Sequence, residues 1–264
     1  MNNLDKYKID TSYPGFYNDP NFILQEDINP AFLNEYNYYI TSKTYTDDYL
    51  LNAKNKIDIV CKLLFEELNR ENREGSCIDI AQALTKILEA EKIWCCIFTG
   101  SLTQIFSHDT QIDNVYFWLI DDGNYNVPHA WVYAPPYSII DLSVCLQRYN
   151  QNEKKYLPNF VKQIETRKGG IEPIDIINPE FSFLKNYTMD GMLNNLFDQN
   201  PEMKKFSKMY EPQIVDYEKV SLKYIPIQAG ASDGSLEQLM CISFSGKSPY
   251  QVYQERIKPE LSDK

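Results

Sequence analysis

Ser76-Cys77-Ile78-Asp79-Ile80-Ala81-Gln82-Ala83-Leu84-Thr85-Lys86-Ile87-Leu88, then Ile93-Trp94-Cys95-Cys96-Ile97-Phe98-Thr99, is the stretch on which the fold turns. In its first part Cys77, Ile80, Ala81, Leu84, Ile87 and Leu88 recur at helical spacing, which predicts an amphipathic helix. Ser76 stands where an N-cap belongs, and Asp79 follows three residues on, close to a capping box. Cys77 therefore falls in the first helical turn. The second part is a short apolar run rich in β-formers and reads as a buried strand. Upstream, Thr46-Asp47-Asp48 opens another helix. Its apolar face is Leu50, Ile57, Val60, Cys61, Leu64, Phe65 and Leu68, and it ends near Asn69. Downstream, residues 100–113 are polar and read as a loop. Strands follow over 115–120, 127–134 and 137–142, separated by a turn at 121–124 and a break at Pro135-Pro136. Two helices followed by a largely antiparallel meander make the chain α+β.

The flanks carry weaker patterns. Residues 1–45 are rich in Asn, Asp, Tyr and Pro, with Asp19-Pro20 and Asn29-Pro30 interrupting any period. They read as an irregular arm held down on the core by its tyrosines. Residues 46–264 form one domain whose motif-bearing core is 75–143, with 146–264 as an extension. In that extension, helices are expected over 181–196, 203–210 and 250–257. Strands are expected over 220–227 and 239–244, with a turn at 229–235 between them.

At 264 residues with 43% hydrophobic side chains, the chain can bury a large single core. Its 37 acidic against 26 basic residues give a net charge of −11, which argues against nucleic acid or anionic membrane as the main partner. No apolar run approaches the ~18 residues of a transmembrane helix. The N-terminus lacks the features of a signal peptide, so a cytoplasmic protein is expected, with leaderless export left open. Six cysteines without CxxC pairing read as free thiols. With two histidines far apart, no metal-ligand spacing exists, and neither metal nor cofactor is expected.

The two histidines, His108 and His129, narrow any imidazole-dependent chemistry to two candidates. A cysteine nucleophile needs its thiolate, which a helix N-terminus favours, and Cys77 is the only cysteine at a predicted helix start. It also needs an imidazole to carry the proton and a carboxylate to orient that imidazole. His129 and Trp131 share a strand face. Asp141 follows His129 by twelve residues, with Pro135-Pro136 midway, so a hairpin about that break makes the two neighbours. Taken singly, each residue has a plain structural reading: a buried thiol, a satisfied histidine, a strand-end acid. His108 reads as a solvated loop residue, with lining of the cleft as its alternative. Trp131 reads as packing behind His129, and Ser76 as the cap beside the thiol.

The segments Gly75-Ser76-Cys77-Ile78-Asp79-Ile80-Ala81-Gln82-Ala83-Leu84, Ile93-Trp94-Cys95, His129-Ala130-Trp131-Val132 and Ile140-Asp141-Leu142-Ser143 resemble, in this order, the transglutaminase-like superfamily of cysteine enzymes. The resemblance covers about a quarter of the chain, and His-Ala-Trp is its most distinctive piece. It implies a papain-like α+β core with the cysteine helix packed on an antiparallel sheet. It also implies Cys77 as nucleophile, His129 as general base and acid, and Asp141 as orienting carboxylate. The activity implied is attack on amide or peptide bonds of a protein or peptide substrate through an acyl-enzyme. Peptidase or amidohydrolase action leads; transamidation, deamidation, N-acyl transfer and a non-catalytic binding module are the alternatives. This chain departs from the family pattern in following Asp141 with Leu142-Ser143 rather than proline. The aromatic that assists the oxyanion in many members has only Tyr39 and Tyr45 as candidates.

Overall fold

A computed structural model describes residues 4–71, 74–121, 128–149, 152–184, 188–232, 234–239 and 246–262, with backbone alone at 71 and 182–184. Chain order begins with helices α1 (Pro20–Ile28), α2 (Asn34–Ser42), α3 (Asp47–Glu71) and α4 (Cys77–Ala90). Strands β1 (Cys96–Phe106), β2 (Val115–Phe117), β3 (His129–Ala134), β4 (Tyr137–Asp141), β5 (Val161–Gln163) and β6 (Arg167–Lys168) come next. Short helices α5 (Pro173–Ile176), α6 (Pro179–Leu184), α7 (Met189–Gln199) and α8 (Pro201–Met209) precede β7 (Gln213–Asp216) and β8 (Val220–Gly230). Helices α9 (Pro249–Val252) and α10 (Lys258–Ser262), joined by a π-helical turn over Tyr253–Ile257, close the chain. The protein is thus α+β: the strands form one antiparallel sheet in the order β5-β4-β3-β1-β8-β7-β6, with β2 beside β1.

Both faces of the sheet are covered. On one face, α3 and α4 bury Ile57, Leu64, Leu84 and Ile87 against Ala130, Val132 and Ile140, and the closing helices add Val252 and Ile257. On the other, the N-terminal arm buries Phe16, Phe22, Tyr36 and Ile40 against Phe98, Leu102, Trp131 and Tyr224. The alternation of Ala130 and Val132 to one face and Trp131 to the other follows from the strand period of two.

Several expectations need correction. The arm is packed, but it is not irregular, for Asp19-Pro20 and Asn29-Pro30 start helical turns rather than break them. The Asp19 carboxylate accepts from Asn21 N, and the Asn29 side-chain oxygen accepts from Ala31 N, each with proline in the first turn. The first strand does not stop at Thr99 but runs to Phe106, so half of the stretch read as a loop belongs to a central strand. Three of its polar residues are buried with partners: Thr99 donates to Gln228 O, Thr103 to Asp175 and Gln104 to Tyr149. The single helix read over 181–196 is divided between α6 and α7. The last strand of the extension runs to Gly230, into the stretch read as a turn. Leu239 follows a 3-10 turn, and residues 240–244 lie outside the described residues, as do 122–124 of the expected turn. The extension is also part of the sheet: β5 pairs with β4 and β8 with β1, and β7 and β6 continue outward from β8.

One glycine is fixed by this arrangement. The pairing of β1 with β8 shifts at Thr99/Gly100, with Thr99 opposite Gln228 and Gly100 opposite Pro226. A Cβ on Gly100 would stand 1.9 Å from the Ile225 carbonyl oxygen. Gly100→Ala is expected to cost about 2–4 kcal/mol of stability, read as a lowered urea midpoint. An unchanged midpoint would show that the bulge does not need glycine.

Candidate active site

Helix α4 begins at Cys77 because Ser76 takes the N-cap position and its carbonyl accepts the first helical hydrogen bond from Ile80 N, at 2.9 Å. The expected capping box is absent: the Ser76 hydroxyl makes no capping bond to the helix. Gly75, with φ +70°, turns the chain into the helix, and its N–H donates to Leu146 O at 2.8 Å. The Cys77 side chain then lies beside the start of β3, with Sγ 3.9 Å from the carbonyl oxygen of Pro128, the residue before His129.

His129 and Asp141 meet on the arm-facing side of the sheet. The hairpin pairs Val132 with Ile140, which puts Asp141 opposite Trp131 rather than opposite His129. His129 and Asp141 are therefore diagonal neighbours on one face, still within side-chain reach. His129 Nε2 lies 2.7 Å from Asp141 Oδ2, and both side chains are fully buried. The other carboxylate oxygen accepts from Ser143 N at 2.8 Å and from the Ser143 hydroxyl at 2.7 Å. Oδ2 also accepts from the Tyr224 hydroxyl at 3.0 Å.

The electrostatics follow from these contacts. Burial pushes the His129 pKa down, but the charge and hydrogen bond of Asp141, with Cys77 beside the ring, push it up to about 10. Burial pushes Asp141 up, yet His129 and the two donors of Ser143 hold its carboxyl below the usual value of 3.8. His129 Nδ1 has no hydrogen-bond partner by geometry, and Cys77 is the thiol that acts on the ring. The other described cysteines lack such a neighbour. Burial raises Cys61 to about 12 and Cys145 to about 11, and it raises Cys95 and Cys96 well above the ordinary thiol range. Cys77 is thus the one described thiol that adjoins an imidazole.

The remaining candidates divide. Trp131 is 2% exposed and lies beside the imidazole, with ring centroids 6.3 Å apart, where it excludes water. Ser76 is adjacent to the thiol on the surface side. His108 is exposed in a turn beyond Phe106, eight residues along from Gly100, the partner of His129, and does not reach the site. The Tyr39 and Tyr45 hydroxyls donate to Thr11 O and Ile40 O, so neither points an O–H at the thiol. Tyr224 and Phe117 escaped the sequence reading. Phe117, on β2, has its ring 5.9 Å from the imidazole. Ser143 is different, because an aspartate two residues before a serine is a recognisable local hydrogen-bonding pattern.

Cys77 is buried, 7% exposed as a residue, and its chain neighbours Gly75 and Ile78 are exposed. Cavities of about 600 Å³ lie elsewhere, one between α8 and the Pro30–Leu33 turn and one beside α7. Cys77, His129 and Asp141 line neither of them. No helix among the described residues is long and apolar enough to cross a membrane. No protein-family model matches this chain, and no curated protein or solved structure is significantly similar to it.

The buried pair makes stability pH-dependent with a defined sign. A folded-state imidazole pKa near 10, above its ordinary 6.5, contributes stability that is complete below about pH 6.5 and is lost as pH rises towards 10. The lowered Asp141 contributes stability above its ordinary 3.8 that is lost as pH falls through its folded-state value. The stability gap between wild type and Asp141→Asn should therefore be widest between about pH 4 and 6.5 and narrow by pH 9, measured by urea unfolding. A gap equal at pH 5 and pH 9 would contradict the charged pair.

Proposed function

We propose that this protein is a cysteine-nucleophile enzyme of the transglutaminase-like kind, acting on amide or peptide bonds through a thioester intermediate. Hydrolysis is the leading outcome. The observation that carries the reading is the buried 2.7 Å contact of His129 Nε2 with Asp141 Oδ2, beside the thiol at the start of α4. The four motif segments, in their family order, support it independently. So does the sheet, whose helix layer supplies the thiol and whose opposite face supplies the His–Asp pair.

In this mechanism Asp141 holds Nε2–H, which leaves Nδ1 to exchange a proton with Cys77. The Cys77 thiolate attacks the amide carbonyl carbon, forming the C–S bond and moving the π electrons to oxygen. The backbone N–H of Cys77, at the start of α4, stabilises that oxyanion. The oxyanion collapses, the C–N bond breaks, and the His129 imidazolium gives its proton to the leaving amine. Water then attacks the thioester, His129 takes the water's proton, and Cys77 leaves with the acid released. An amine in place of water would give transamidation by the same steps. Trp131 and Phe117 keep bulk water from the imidazole.

Cys77→Ala should abolish turnover on a peptide-amide library, a loss of about a thousandfold or more, with the melting temperature nearly unchanged. Intact mass of the wild type with a slowly turned-over ester should show one acyl adduct, which maps to Cys77. Retained turnover in Cys77→Ala would overturn the assignment.

A further inference from the structure

The Tyr224–Asp141 hydrogen bond joins strands that are not neighbours. β4, which carries Asp141, is separated from β8, which carries Tyr224, by β3 and β1. Three lanes of a flat sheet span roughly 14 Å, so the 3.0 Å contact requires the sheet to curl towards the arm. It also requires a gap in the side-chain layer on β1. Gly100 provides it, on the same face as Phe98 and Leu102 and paired with His129. Tyr224 is fully buried, packs edge-on against Trp131 at 5.2 Å, and lies 6.1 Å from the His129 ring. Burial, and then the charge of Asp141, raise the phenol's own pKa well above its ordinary value, so the hydroxyl stays protonated and serves as a donor.

We propose that Tyr224 is a positioning residue of the triad, which sets the strength with which Asp141 holds the His129 imidazolium. Its donor falls on Oδ2, the oxygen that His129 uses, whereas both Ser143 donors fall on Oδ1. A second donor on Oδ2 draws charge from that oxygen and weakens its grip on the imidazolium. A buried imidazolium held only by an unshared carboxylate oxygen keeps its proton too well to deliver it to a leaving amine. Tyr224 thus lowers the imidazolium pKa from what Asp141 would impose without it, and at the same time fixes the carboxylate's orientation. The inference rests on the reading of His129 as general acid and base.

With only two histidines, protein labelled with ¹⁵N-histidine gives the His129 titration directly, and the exposed His108 serves as an internal reference. In Tyr224→Phe the His129 midpoint should rise by roughly half a pH unit or more. Replacement of Tyr224 by 3-fluorotyrosine, a stronger donor of nearly the same size, should move it down. Ser143→Ala should move it less than Tyr224→Phe does. A midpoint unchanged in both Tyr224 variants, with only a lowered melting temperature, would make the bond a structural clamp and overturn the inference while leaving the triad intact. A wild-type His129 whose midpoint is not raised above the ordinary imidazole value of about 6.5, with no proton held on Nε2, would overturn the acid–base reading as well. Should Tyr224→Phe fail to fold, the fluorinated protein alone decides between a downward shift and none.

Discussion

A carboxylate and an imidazole, fully buried and 2.7 Å apart, are the constraint around which this molecule is arranged. Neither charge is tolerable alone in such a place, because desolvation penalises an unpaired buried ion by several kcal/mol. Together they are sustained by further donors: two from Ser143 to one oxygen and one from Tyr224 to the other. These donors come from the turn after β4 and from the far strand β8. The chain beyond residue 145 is therefore needed to complete the polar cluster, even though the motif segments end near Ser143.

The packing follows from the need to close both faces of one sheet. The helix layer buries the small residues Ala130 and Ala134 and the branched Val132, and the arm buries Trp131, Phe98 and Tyr224 on the opposite face. His129 and Asp141 belong to the arm's face by strand alternation, whereas Cys77 belongs to the helix layer. They meet where β3 begins, because there Pro128 brings the chain past the start of α4. The arm is consequently the wall behind the polar pair rather than an appendage. Phe16 alone has edge contacts with Phe22, Tyr36, Tyr39 and Trp94, and the Tyr36 hydroxyl donates to Cys95 O on the way into β1.

Much of this was legible in the sequence where one physical signal dominated. The 3.6-residue period of Ile80, Ala81, Leu84, Ile87 and Leu88 located α4, and the alternation around Trp131 located β3. The scarcity of histidine pointed to His129. The sequence failed where tertiary partners override local character. Ser101, Thr103 and Gln104 look like loop residues until Asp175 and Tyr149 are seen to pair two of them inside the sheet. The hairpin about Pro135-Pro136 makes His129 and Asp141 neighbours as the spacing suggests, but an irregularity between Val132 and Ala134 sets Asp141 opposite Trp131, two residues on, so that His129 is its diagonal neighbour. Tyr224, 83 residues from Asp141, left no local signal because sheet curl alone brings the two together.

The measurement that tests the central claim most directly is labelling with an uncharged electrophilic thiol probe across pH 5–8, mapped by peptide mass, on wild type and His129→Ala. A thiolate kept by its imidazolium should make Cys77 label selectively and fast at pH 5, while Cys61, Cys95, Cys96 and Cys145 stay unlabelled in their apolar surroundings. The low-pH reactivity should vanish in His129→Ala. Slow labelling of Cys77 at pH 5, rising with pH like a free thiol and equal in both proteins, would contradict it.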